Sequence, residues 1–336
     1  MFKKMSIYFK QFCFVYNAFK FRVYNYCNCR FLEVLMTDKY KKINIFALAV
    51  LMLTLVAAVL RTLSLVTVFE SDTGYYQLGA ALPTVLNILC VLAVAAFAAF
   101  PLFFIKKDEV AVPPMHKACR YVAILPAIAF ALLTAKKWSA FFGAAEFAME
   151  QKNLFLVFLP PVLTLFALIF FVLACTGLKA TALTAAAGSF AIISFAVELA
   201  LSYTDMTVPM NSPNKLMSHF AYIGIMLFLL AELRALWQVR KDRLYFFSAA
   251  VAVFFTGSYS VPVICAPLSD GYTDTATISD FAVAAVFLFS AVRLLTLGIS
   301  FRETPEAESN ADTEIEDDPE KDDQEAPEAE PESDSQ

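Results

Sequence analysis

Histidine is almost missing from this sequence, with two in 336 residues, and tryptophan is equally scarce. His116 and His219 stand in no spacing such as H-E-x-x-H, which disfavours a histidine-based metal centre. The nine glycines form no phosphate-cradling loop, and neither a G-x-S-x-G elbow nor a kinase signature set is present. Seven cysteines yield a single close pair, Cys27 and Cys29. A C-x-C without a second pair is far from a zinc or haem spacing, and no disulfide framework follows from it. Cys90 and Cys175 fall inside apolar runs, where cysteine acts as a small hydrophobe. No catalytic residue, metal or cofactor is read from the chain, and nothing calls for a nucleic-acid partner. Glu and Asp side chains leave acid–base chemistry on a lipid open without arguing for it.

Apolar residues are plentiful instead. They make up 59% of the chain, 34 of them phenylalanine, where a soluble domain sits nearer half. The stretch from Ile43 to Lys107 sets the design: two long apolar runs joined by a short polar, acidic tip. Each run exceeds the roughly 20 residues needed to cross a hydrocarbon core, so the stretch reads as a transmembrane helical hairpin. Similar runs recur downstream, and eight spans are predicted near 43–69, 77–105, 119–137, 153–176, 180–203, 217–238, 244–266 and 276–298. The fold class is therefore all-α, a polytopic transmembrane helical bundle. The third span is short, and the connection KKWSAFFGAAEFAMEQK after it reads as an interfacial amphipathic helix, its Trp138, Phe141, Phe142 and Phe147 suiting the headgroup level. Small residues in TALTAAAGSFA, including Gly188 and Ser189, allow close helix approach and place span five at the centre of the bundle.

The formal net charge of −5 sums two opposite parts. Residues 303–336 hold sixteen acidic residues against one lysine, a charge of −15, which leaves +10 on the rest. That tail has no aromatic residue and cannot bury enough apolar surface to offset chain entropy, so residues 303–336 are expected to be a disordered acidic tail. Residues 1–35 show neither a helical nor a strand period and lack the apolar centre of a signal peptide. They read as a leader outside the natural protein, with translation starting at Met36, or else as a basic amphiphilic arm on the membrane. Residues 36–302 are the transmembrane domain. Its basic residues gather in alternate loops, from Lys39, Lys41 and Lys42 through Lys106, Lys107, Lys179, Arg240 and Lys241 to Arg302. Acids such as Glu70, Asp72, Asp205, Asp270 and Asp274 dominate the other side, although Lys136, Lys137, Lys152 and Lys215 fall there as well. This bias assigns both termini to the cytoplasm.

Ionisable residues inside spans are the best pointers to function, since charge in hydrocarbon is costly and needs a partner or water. Arg61 in span one and Glu198 in span five sit roughly 12 and 8 Å inside the outer end, by the helical rise. They are predicted to pair, as a substrate or ion site open to the outside or as an interhelical clamp. Arg61 snorkelling to the outer headgroups is a further alternative. Glu232 in span six and Arg293 in span eight match in depth near the inner face and read as a second pair, of the ordinary boundary kind. In span seven, Thr256, Ser258, Tyr259 and Ser260 precede Pro262 in TGSYSVP. Such a stretch unwinds a helix where it faces protein or water, as in transporter binding sites, or remains a Pro-kinked helix whose hydroxyls bond their own backbone.

Three segments, RTLSLVTVFESDTGYY (Arg61–Tyr76), MNSPNKL (Met210–Leu216) and ELRALWQVRKDRLY (Glu232–Tyr245), resemble a group of uncharacterised bacterial multi-pass membrane proteins. The resemblance covers roughly Met36 to Arg302. It implies the eight-helix bundle and a bacterial plasma membrane, and it carries over no functional residue. Together these readings describe a transporter-like or small-ligand-binding membrane protein. The alternative is a non-catalytic scaffold or sensor component. The lipid bilayer is one partner; a small-molecule or ion substrate and a cytoplasmic partner of the acidic tail are the others expected.

Overall fold

The computed structural model describes residues 41–70, 73–104, 112–150, 154–205, 209, 212–237, 243–268 and 276–313. The leader 1–35, the tail beyond Thr313 and several loops that carry the charge bias lie outside the described residues. Nine α-helices are described: α1 (Lys41–Thr67), α2 (Ala81–Phe104), α3 (Lys117–Val122), α4 (Ile124–Glu150), α5 (Leu154–Thr176), α6 (Ala182–Thr204), α7 (Pro213–Trp237), α8 (Arg243–Cys265) and α9 (Ile278–Thr313). A 3₁₀ turn, Ala266–Leu268, follows α8. Eight segments are long and apolar enough to cross a membrane, with α3 and α4 together supplying the third, Lys117–Gly143. The architecture is that of an integral, multi-pass membrane protein.

The tip between α1 and α2 is more ordered than a polar loop. Strands β1 (Phe69–Glu70) and β2 (Tyr75–Tyr76) pair antiparallel, Phe69 opposite Tyr76 and Glu70 opposite Tyr75. The Phe69 and Tyr76 rings meet edge to face, 5.7 Å between centroids. Gly74 takes a φ of +73° in the turn, a conformation that side chains with a Cβ resist.

Two expectations are corrected. The connection after span three is no separate interfacial helix, because α4 runs unbroken from Ile124 to Glu150. Helix formers such as Ala and Glu carry it on, and its aromatics cluster at the span's end: Trp138 lies 5.6 Å from Phe141 and 5.7 Å from Phe158. The centre of the bundle is α8, with 83% of its spanning window buried, against 33% for α6. Small residues in α6 do allow close approach, since a Cβ on Gly188 would stand 2.6 Å from Leu233, but they mark one crossing rather than the middle. The last helix continues past Arg302 to Thr313, and the rest of the acidic tail lies outside the described residues.

The centrality of α8 follows from its composition. Apolar and small side chains occupy every face and its hydroxyls are buried with them, which is the pattern of a helix enclosed on every side. It packs against α7, α1 and α2. Gly224 of α7 faces the α8 backbone, where a Cβ would come within 3.1 Å of the Ala252 Cα. Gly257 of α8 is tighter still, since a Cβ there would lie 2.5 Å from Thr54 of α1 and 2.6 Å from Phe287 of α9. Around α8 the remaining helices lock through aromatic contacts, with Phe289 of α9 meeting Phe171 of α5 and Phe228 of α7.

Gly257→Leu should therefore lower the melting temperature of detergent-solubilised protein, by the roughly 1–3 kcal/mol typical of overpacking. Unchanged melting would remove Gly257 from the contact between α1, α8 and α9.

Candidate functional site

Pro262 organises one end of the bundle. A proline within a helix has no N–H for the carbonyl four residues earlier, which here is Ser258. Arg61 of α1 supplies the missing donor: its Nη1 donates to the Ser258 carbonyl oxygen at 3.2 Å. Its Nη2 donates to Asn214 Oδ1 at 2.9 Å, in the first turn of α7. The guanidinium carbon lies 5.3 Å from the centre of the Tyr259 ring, a cation–π arrangement. Arg61 is fully buried, so it does not reach up to the headgroups. Beyond the membrane-spanning helices, burial raises the Tyr76 phenol above its ordinary pKa, and the Arg61 guanidinium opposes that rise.

The TGSYSVP stretch is not unwound. Helix α8 is continuous through Pro262. Thr256 Oγ1 donates to the Ala252 carbonyl, Ser258 Oγ to that of Phe255 and Ser260 Oγ to that of Thr256. All three hydroxyls are used within their own helix, which keeps buried polar groups satisfied without breaking the backbone ladder. Tyr259 alone reaches outward from this group. Its hydroxyl donates to Asp280 Oδ1 at 2.6 Å. Asp280 Oδ2 in turn accepts from the Thr277 backbone N–H and hydroxyl, each at 2.7 Å. Thr277 and Asp280 are thus a capping pair at the start of α9, with the second carboxylate oxygen turned to α8.

The expected Arg61–Glu198 pair does not form. Glu198 of α6 is bonded to Lys137 of α4, while Arg61 is held on α7 and α8. Matching depth on two helices brings charges together only when those helices are neighbours, and α6 packs against α5 and α7 while α1 packs against α2 and α8. Lys137 Nζ also donates to Thr164 Oγ1 of α5 at 3.1 Å. The lysine belongs to the span rather than to a loop. The pair lines a small cavity of about 20 Å³ together with Thr164, Ser194, Tyr222 and Ser279, closed by apolar groups such as Phe130 and Phe195. The hydroxyls of Ser194, Tyr222 and Ser279 make no hydrogen bond to any described residue. Ser279 lines this cavity and the next residue, Asp280, accepts from Tyr259, so the cavity and the Arg61 cluster are linked through the start of α9.

Near the other face, Glu232 and Arg293 pair as their depths predict. Arg293 Nε donates to Glu232 Oε1 at 2.9 Å, with both side chains buried. The Tyr245 hydroxyl donates to the same oxygen, and the guanidinium lies 5.6 Å from the centre of that ring. Arg293 Nη1 and Nη2 donate to the carbonyls of Pro114 and Pro113 at 3.3 and 3.0 Å. Every donor-bearing nitrogen of Arg293 is therefore occupied by the protein, and the cluster pins the segment leading into α3. Removing one partner of such a buried pair typically costs about 3–5 kcal/mol. This is a clamp.

Sequence reasoning missed Lys137, Asp280, Asn214, Tyr222 and Tyr245. Two of them carry a legible signal: Thr277–Asp280 is a T-x-x-D capping pattern before an apolar run, and Lys137 runs against the alternation of basic residues along the sequence. The histidines are local fittings. His116 Nδ1 accepts from the Ala118 N–H to cap α3 at 3.1 Å, and His219 lies 3.2 Å from the Ser202 hydroxyl. A wider depression of about 500 Å³ between α6 and α7, floored by Ala196 and Ala200, is almost wholly apolar. Among the described residues, no three His, Cys, Asp or Glu side chains gather to hold a metal ion. No protein-family model matches the chain, and comparisons with curated proteins and with solved structures also give no match.

Pro262→Ala restores an N–H to the Ser258 carbonyl, so it should soften the loss caused by Arg61→Met. Melting of the two single variants and the double should show a coupling of about 0.5–3 kcal/mol. Strictly additive losses would mean that Arg61 does not serve the carbonyl freed by Pro262.

Proposed function

We propose that this integral membrane protein is of the transporter-like or small-ligand-binding kind, with its site in the polar layer around Glu198. The observation that carries this reading is the Lys137–Glu198 pair lining a cavity with the hydroxyls of Ser194, Tyr222 and Ser279, which bond no described residue. Polar groups inside a span are expensive and are kept where they serve packing or a ligand. Those three hydroxyls join no helix to another. The cavity, about 20 Å³, admits a water-sized species; a larger solute requires the helices to part.

A scaffold or sensor component is the second reading, favoured by the Glu232–Arg293 cluster, whose groups are all engaged by the protein. Under either reading the short segments resembling bacterial multi-pass proteins support a bacterial plasma membrane. The Lys and Arg bias supports cytoplasmic termini, and the acidic tail offers a basic cytoplasmic partner a site of opposite charge.

The test is a thermal-shift screen of detergent-purified protein against ions, amino acids, sugars, nucleosides and lipids. A ligand at 100 times its dissociation constant adds about 2.7 kcal/mol if it binds only the folded form. A shift that vanishes in Glu198→Ala is the expected result. Cooperative melting with no shift across the panel would favour the scaffold.

A further inference from the structure

We propose that the Glu198 cavity is a monovalent-cation site in which the chain's own Lys137 ammonium stands in for the ion. This rests on the ligand-binding reading above and names the class of ligand. The donor set around the ammonium consists of oxygen alone. Lys137 Nζ is bonded to the Glu198 carboxylate and to Thr164 Oγ1, and the hydroxyls of Ser194, Tyr222 and Ser279 line the same space. Oxygen donors without nitrogen or sulfur suit hard cations rather than transition metals.

Charge then selects the valence. The carboxylate of Glu198 balances one positive charge. Asp280 follows Ser279 of the cavity wall in sequence, but its two oxygens are held by Tyr259 and Thr277. A divalent ion would leave an uncompensated charge in a low-dielectric interior, which is strongly disfavoured. An anion would meet the Glu198 carboxylate once Lys137 had moved to receive it. A monovalent cation such as sodium, potassium or ammonium replaces the lysine ammonium with no change in net charge.

The lysine is built to leave. Its Nζ is tethered by a flexible four-carbon stem on α4, and its side chain is already partly exposed. Such a side chain keeps its stem on apolar surface while its charge reaches toward water. Ion and ammonium therefore compete for one carboxylate, and entry of the ion sends Lys137 outward. The free volume beside the pair exceeds the roughly 10–15 Å³ that a water-sized occupant needs.

The experiment removes the competitor. The melting temperature of full-length Lys137→Met protein is followed against increasing sodium, potassium and ammonium chloride, with choline chloride holding ionic strength constant. At least one small cation should raise the midpoint with the logarithm of its concentration, more steeply than in the unaltered chain, and Glu198→Gln added to Lys137→Met should abolish the rise. Identical curves in all four salts would overturn the cation site. Should Lys137→Met fail to fold, the unaltered chain is compared with Ser194→Ala/Ser279→Ala. A cation-dependent rise lost in that variant supports the site, and no rise in the unaltered chain overturns it. Flat cation curves beside a Glu198-dependent shift from another compound would reject only the cation; flat curves throughout would reject the ligand-binding reading too.

Discussion

In hydrocarbon a polar group has no solvent to fall back on, so each must be answered from within the protein. Arg61, Lys137 and Arg293 each lie inside a span, and the bundle is arranged around answering them. Arg61 is held by a carbonyl that Pro262 releases, by the Asn214 amide and by the Tyr259 ring. Arg293 is held by a carboxylate and two proline carbonyls. Lys137 is held by a carboxylate and a threonine. The first two join distant segments of the chain, and their loss would free helices from one another. The third differs in kind: it is partly exposed and borders hydroxyls that bond nothing described.

That difference links packing to function. Helix α8 is enclosed by its neighbours through close contacts at Gly224 and Gly257, and its Thr256, Ser258 and Ser260 hydroxyls stay on their own backbone. Variation is left to the layer between α4, α5, α6, α7 and α9, where Glu198 meets side chains from different helices. Asp280 connects the two regimes. One of its oxygens caps α9 and the other faces Tyr259, which stacks under Arg61, while Ser279 beside it lines the Glu198 cavity.

Much of the fold was legible in the sequence because the membrane imposes a length and a composition. All eight spans were visible from apolar runs alone, and the Glu232–Arg293 pair from matched depth on two helices. What escaped was lateral: which helices are neighbours. Depth placed Arg61 and Glu198 at one level without saying that α1 and α6 stand apart. TGSYSVP left open an unwound segment or a helix whose hydroxyls bond their own backbone, and burial on every side made the continuous helix the better solution. Small residues in α6 signalled close approach, whereas true centrality belonged to α8, whose sign was apolar and small side chains on every face. Lys137 was hidden by being read as a loop residue, although its position against the charge bias was the clue.

The account turns on Glu198 belonging to Lys137 and not to Arg61. Charge exchange tests this most directly, with cooperative melting as the readout for Lys137→Glu, Glu198→Lys and the two combined, beside Arg61→Glu combined with Glu198→Arg. The account predicts that either reversal at Lys137 or Glu198 alone abolishes the cooperative transition, that their combination restores it, and that the Arg61 exchange restores nothing. Recovery in the Arg61 exchange, with none at Lys137, would contradict it.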